Sequence, residues 1–192
     1  MLTSTTRAVA ALTLSVVVSG PLALADLPPK DTTPAEWTKL RKDKYKLESK
    51  GLGAQGYDVV AYFPEGDTKG KGRAVKGNKK ITHVYNGVTY RFSTAKNRDL
   101  FKKNPLKYEP AYGGWCAYAM AHETYTEPNP KRFLVQNGRL MLFYDGFFGD
   151  TYKDWHKEGP QKLEPVADGF WKSETGERPP SEATEEELAA NG

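Results

Sequence analysis

The sequence predicts an α+β domain: a small antiparallel sheet built from hairpins, flanked by short helices. The hairpins come from two Asn-Gly pairs, each set between strand-like runs in "ITHVYNGVTYRF" and "RFLVQNGRLMLFY". Asn-Gly favours the type I′ turn whose twist matches that of the strands. Segments of helical spacing lie before, between and after the hairpins. The length, 192 residues, suits one domain, and 12% aromatic residues supply large core side chains to an otherwise polar chain.

The first 25 residues are expected to be a signal peptide. Arg7 is the sole charge before an apolar run over 8–18, which is too short to span a bilayer, and Ala23-Leu24-Ala25 has the small-x-small pattern of a cleavage site. A mature chain beginning at Asp26, periplasmic or secreted, is the expectation. No cysteine follows the cut to carry lipid, and no second apolar run follows, so no membrane span is expected.

Residues 26–50 are predicted as an N-terminal helical extension. After a Pro-rich lead-in, a helix over 34–49 begins with Pro34 in its first turn and sets Trp37, Leu40, Lys44 and Leu47 on one side; Gly51, Gly53 and Gly56 end it. The main domain is placed at 51–172. "YDVVAYF", 57–63, predicts a strand closed by Pro64 and Gly66, followed by a glycine- and lysine-rich loop over 67–80 around a weak strand at 73–75.

The two-residue turns set the register. In the first hairpin Tyr85 faces Val88, His83 faces Tyr90 and Ile81 faces Phe92, which puts His83 on the apolar face. In the second, Val135 faces Leu140 and Phe133 faces Leu142, and both of its faces are apolar. Ser93 is a predicted N-cap for a helix from 94 to about 103, with Leu100 and Phe101 inward and Asn104-Pro105 at its end. A short helix over 150–157 is anchored by Trp155, and 163–171 packs back through Phe170 and Trp171. Residues 173–192, with six Glu against Arg178 alone and with Pro179-Pro180, are predicted to be an acidic, disordered tail.

The whole chain is +4, of which the body, 26–172, carries +8. Its lysines are scattered and its aromatics occupy strand positions, so the charge reads as a solvated basic face and no nucleic-acid partner is expected.

Cys116, within "YGGWCAYAMAH", is the chain's one cysteine, so no internal disulfide is available. Gly113-Gly114 predicts a tight turn, and "WCAYAMAH" is helix-compatible, which puts Cys116 in a first helical turn where partial positive charge favours thiolate. Met120 lies at i+4 on the same face, whereas His122 points elsewhere. Thiolate, thioether and the imidazole of His83 or His122 make a soft donor set suited to copper. The register then predicts His83 and Cys116 about 3 to 5 Å apart, a metal-bridged span. Each residue has a plainer role: Cys116 as a small hydrophobe, Met120 as core filler, His83 as a hydrogen-bonded core residue, and His122 and His156 as exposed histidines.

"GYDVVAYF", "HVYNGVTYRFSTAKNRDLFKKNPLKYEPAYGGWCAYA" and "FLVQNGRLMLFY" together resemble the YHS domain family, in its exported branch of YHS domain-containing (seleno)proteins, over about residues 52–171. The resemblance implies a small α+β domain of bacterial envelope type. Intracellular YHS domains are similar to metal-binding modules with a "Y-F-C-S-x-x-C" stretch, but here the matching "YRFSTAKN", 90–97, has no cysteine. Selenocysteine in some relatives at the place of Cys116 implies a position that favours a soft ligand or nucleophile.

A nucleophile elbow, H-E-x-x-H, a P-loop, a dinucleotide fingerprint and C-x-x-C-H are all missing from the sequence, so an elaborate enzyme is not expected. Three readings remain. The first is an exported module holding copper through Cys116 and His83, with Met120 or His122. The second is a thiol-dependent redox protein in which Cys116 passes through sulfenic acid and is restored by an outside small-molecule reductant. The third is a structural or partner-binding domain without chemistry.

Overall fold

The computed structural model describes residues 25–67 and 72–190, and it is α+β. The expected signal peptide falls almost wholly outside these residues. No helix of the described residues is long and apolar enough to cross a membrane.

Helix α1, Pro34–Lys44, starts with a full capping box: the Thr33 side chain accepts from the Glu36 N–H and the Glu36 carboxylate returns to the Thr33 N–H, with Pro34 in the first turn. It stops at Lys44, earlier than the spacing predicts, because Tyr45 turns to extended backbone and the Trp115 indole takes the Lys44 carbonyl at 2.8 Å. Its buried face is Trp37 and Arg41, continued by Tyr45, rather than the predicted stripe; Leu47 joins the main core from outside the helix.

Residues 58–63 are buried and Tyr57 half-buried, but apart from a single bridge from Tyr57 to Lys76 the segment forms turns and not a strand. Asp58 Oδ1 accepts the N–H groups of Val60 (3.0 Å) and Ala61 (3.3 Å), a local alternative to ladder bonding. Residues 73–75 are likewise not a strand, although Arg73 and Val75 each bond to this segment.

The first hairpin is β1, Asn78–Tyr85, with β2, Val88–Phe92; the second is β3, Asn129–Gln136, with β4, Arg139–Phe143. Both residues of each turn, Asn86-Gly87 and Asn137-Gly138, have positive φ, as type I′ requires. The predicted pairs Tyr85–Val88, His83–Tyr90, Val135–Leu140 and Phe133–Leu142 are present. Phe92, however, pairs with Asn78 rather than Ile81, because the Asn78 side chain accepts the Lys80 N–H at 2.9 Å and the strand slips across an irregularity. Strand β4 is buried throughout, while β3 is mostly half-buried.

The hairpins are parts of a larger internal repeat. Asn78, Asn86 and Phe92 recur 51 residues on as Asn129, Asn137 and Phe143, in the same register, and Asn129 accepts the Lys131 N–H at 3.0 Å just as Asn78 accepts that of Lys80. Beside each second strand runs a parallel bridge, Leu52 to Thr89 and Pro110 to Leu140, followed by a turn with left-handed residues at 54–56 and at 112–114. Each unit ends in a helix: α2, Ala95–Lys103, and α5, Thr151–Glu158, the latter anchored by fully buried Trp155. Thr94, not Ser93, caps α2, because Ser93 is held by Asp58. Between the units lies α3, Pro105–Tyr108, capped by Asn104, and within the second unit, after Cys116, comes α4, Ala117–Met120.

The expected N-terminal extension and disordered tail close on each other across the core. Helix α6, Pro160–Thr175, runs past the predicted end of 163–171 and buries Leu163, Ala167 and Trp171. Leu27 and Arg178 exchange backbone hydrogen bonds at 2.7 and 2.9 Å. Glu177, inside the supposed tail, has no exposed surface and accepts from Trp37 (2.6 Å), Tyr45 (3.0 Å) and Trp171 (2.9 Å). The tail's first part is therefore built into the core, since one buried carboxylate with several donors outweighs acidic composition as a guide to order.

Candidate functional site

Cys116 follows a left-handed turn in which position 113 has room only for glycine. Tyr112, Gly113 and Gly114 all have positive φ, and a Cβ on Gly113 would come within 2.9 Å of the rings of Tyr45 and Trp171. The turn delivers Cys116 to the end of β4, where its N–H donates to the Thr126 carbonyl (3.1 Å). Its sulfur accepts from the Tyr144 N–H (3.3 Å) and lies 3.4 Å from the Thr151 hydroxyl, which itself donates to the Tyr144 carbonyl at 2.9 Å.

Cys116 stands at a helix start, as expected. Cys116 is the N-cap of a helix only four residues long, its sulfur makes no capping bond to that helix, and it is fully buried. Met120 is at i+4 as predicted, but as core, also fully buried. His83 lies half-buried on the first hairpin, edge-on to Phe101 with ring centroids 6.1 Å apart. Burial, then the cations of Lys102 and Arg98, hold its imidazole below the ordinary histidine range. Its neighbours and those of Cys116 are different residues. His122 is exposed beyond α4 against the Tyr118 ring, and His156 is exposed on α5 with Nδ1 2.8 Å from the Tyr152 carbonyl. Among the described residues no three His, Cys, Asp or Glu side chains are gathered as a metal ion would need. The register puts His83 against Phe101 of α2, and the glycine turn carries Cys116 to β4, where its hydrogen bonds are to Thr126, Tyr144 and Thr151 rather than to His83, Met120 or His122 side chains.

The repeat explains the pocket around the sulfur. Asp58 occupies in the first unit the place of Cys116 in the second. Its N–H donates to Val75 as that of Cys116 donates to Thr126, 51 residues later; its carboxylate accepts from the Ser93 N–H (2.7 Å) as the sulfur accepts from Tyr144, again 51 later. Asp58 binds the Asn97 amide (2.7 Å) and the Ser93 hydroxyl (2.6 Å) as well. Both side chains fasten the end of a hairpin to the helix that follows it.

The units differ at one point. The first passes from Phe92 to its helix cap at Thr94, whereas the second detours between Tyr144 and Thr151 through a small hairpin, β5, Asp145–Gly146, and β6, Gly149–Asp150. Its tip is Phe147 and Phe148, 96% and 90% exposed and edge-to-face at 5.3 Å. Arg132 grips the Asp150 carboxylate with two hydrogen bonds (2.8 and 2.5 Å), and Cys116 and Thr151 hold the base, so the tip stands on a fixed footing. Sequence reasoning passed over these rings, although "DGFFGD" sets two large apolar residues inside a glycine and aspartate turn, where nothing local can bury them.

Sequence reasoning also missed the buried ions. Arg41, fully buried, pairs with Glu109 and lies over the rings of Trp37, Tyr45 and Tyr85 at 4.8, 4.6 and 5.2 Å. Arg139 meets Asp26 at 2.5 Å, Asp168 at 2.7 Å and Glu164 at 3.1 Å. No sequence signal marks such pairs, whose partners lie far apart in the chain. Comparison with family models, with curated proteins and with solved structures finds no match to this chain. The likeness to YHS domains rests on the motifs that carry it.

Proposed function

We propose that this chain is a partner-binding module of the exported YHS type, without chemistry of its own, and that it docks through the aromatic tip of the β5–β6 hairpin. The exposure of Phe147 and Phe148 carries this reading. Each ring left in water forgoes roughly 1.5–3 kcal/mol of burial, and adjacent, nearly fully exposed rings on a braced hairpin recover it only by binding. The partner is a protein with an apolar pocket. A lipid surface is disfavoured because the charges at the hairpin's base, Asp145 and Asp150 against Arg132 and Lys153, sum to zero and offer no pull toward anionic headgroups. Cys116 is a positioning residue in this reading. The copper and thiol-redox readings draw less support, since the sulfur is buried and already engaged.

A photoreactive benzophenone side chain placed at 147 tests this in intact cells, with the same probe at Val84, 60% exposed on the first hairpin, as control. One discrete protein adduct is expected from 147 alone, competed by excess wild-type chain and not by the double variant Phe147→Ser, Phe148→Ser. The same adducts from both positions, or adducts with lipid only, would overturn the proposal.

A further inference from the structure

Strand β1 has a neighbour on one side only. Its sheet has two strands, the far side of β2 is met by the bridge from Leu52 to Thr89, and among the described residues nothing pairs with β1 from outside. The two-residue turn makes Tyr85–Val88 and His83–Tyr90 the hydrogen-bonded pairs, so the N–H and C=O groups of Thr82 and Val84 point away from β2. Both residues are exposed. We infer that this edge takes an acidic, extended segment of another protein as a third strand.

The second unit of the repeat has the same edge closed. Phe133 and Val135, 51 residues on from Thr82 and Val84, are half-buried against the core, with the Tyr62 ring 4.7 Å from that of Phe133. The Pro130 carbonyl, at the place of Lys79, accepts from the Tyr62 hydroxyl at 2.8 Å. The first unit has no such cover, so its outward backbone groups are open to another chain.

Charge gives the partner's chemistry. Residues 72–103 hold nine Lys and Arg against Asp99 alone, whereas 129–158 hold five against four acids. Lys79 and Lys80 are exposed at the start of β1, and Lys96, Lys102 and Lys103 are exposed on α2. The ion pair of this stretch among the described residues is Arg98 with Asp99, which leaves those five lysines for an outside anion. Helix α2 lies beside the edge: Phe101 meets His83, and the cations of Lys102 and Arg98 act on the same imidazole. Lysines on an edge also keep like strands from pairing, but that use does not account for the cations that continue along α2. Val84, 60% exposed, offers an apolar contact to a residue of the added strand.

Fluorescence polarisation of the full chain tests the inference with a labelled (Glu-Val)4 peptide and with the same peptide N-methylated at every second residue, in each of the two frames. Saturable binding of the parent peptide is expected, weakened at least tenfold by methylation in at least one frame, because an added strand needs its backbone N–H groups on the side it pairs. Lys79→Glu with Lys80→Glu should weaken it several-fold, while Lys131→Glu, the matching lysine of the second unit, and Phe147→Ser with Phe148→Ser should leave it within twofold. No saturable binding, equal affinity for the parent and both methylated peptides, or equal weakening by Lys131→Glu would overturn it. In intact cells an acidic partner at this edge would reach the probe at 84 as an adduct different from the one at 147, so either surface can fail without the other.

Discussion

The Cys116 sulfur accepts the Tyr144 N–H at 3.3 Å, across the base of the hairpin that carries the exposed rings. The chain's one thiol is thus a fastening between the end of β4 and the start of α5, in the place that Asp58 fills in the first unit.

It follows that Cys116 should resist alkylation by Ellman's reagent or iodoacetamide in the native state and label fully in denaturant. Cys116→Ala should cost about 1–3 kcal/mol from the cavity and the unpaired Tyr144 N–H. Hydrogen exchange at Tyr144 and Thr151 should accelerate more than in the first hairpin. Rapid native labelling, or uniform exchange, would contradict this role.

Phe147 and Phe148 pack against little but each other, so Phe147→Ser with Phe148→Ser should leave the melting temperature nearly unchanged, within about 0.5 kcal/mol per substitution. A large loss of stability would mean that the tip serves the fold.

Arg41 and Glu109 are both buried, and Tyr90 donates to the same carboxylate at 2.6 Å. Arg41→Ala leaves that carboxylate without its cation and should cost about 3–5 kcal/mol in chemical denaturation. Arg41→Lys should not restore the loss, because an ammonium does not lie flat over the Trp37 and Tyr45 rings as a guanidinium does. Wild-type stability in the lysine variant would refute the stacking role.

Burial, and next the negative charge of Asp26, push Glu177 up to about 7, against the pull of Trp37, Arg41 and Trp171. Its folded value lies above the ordinary 4.5, so its contribution is full below about 4.5 and is lost as pH rises through about 7. Relative to Glu177→Gln, wild-type stability should fall between pH 5 and 8 by on the order of 3 kcal/mol. Parallel melting curves for the two proteins over that range would exclude it.

The sequence by itself determined the local features: both Asn-Gly hairpins with their inner register, the α2 and α5 helices, and the glycine turn before Cys116. Each rests on neighbours within a few residues, where turn chemistry, capping and periodicity act directly. Only the tertiary structure decided what Cys116 touches, that Asp58 folds 57–63 into turns, that Glu177 draws an acidic tail into the core, and that Phe147 and Phe148 stay in water. These depend on partners far apart in the chain, such as Glu177 with Trp37 and Arg139 with Asp26, and a lone titratable residue looks the same in sequence whether its partner is water or a buried donor.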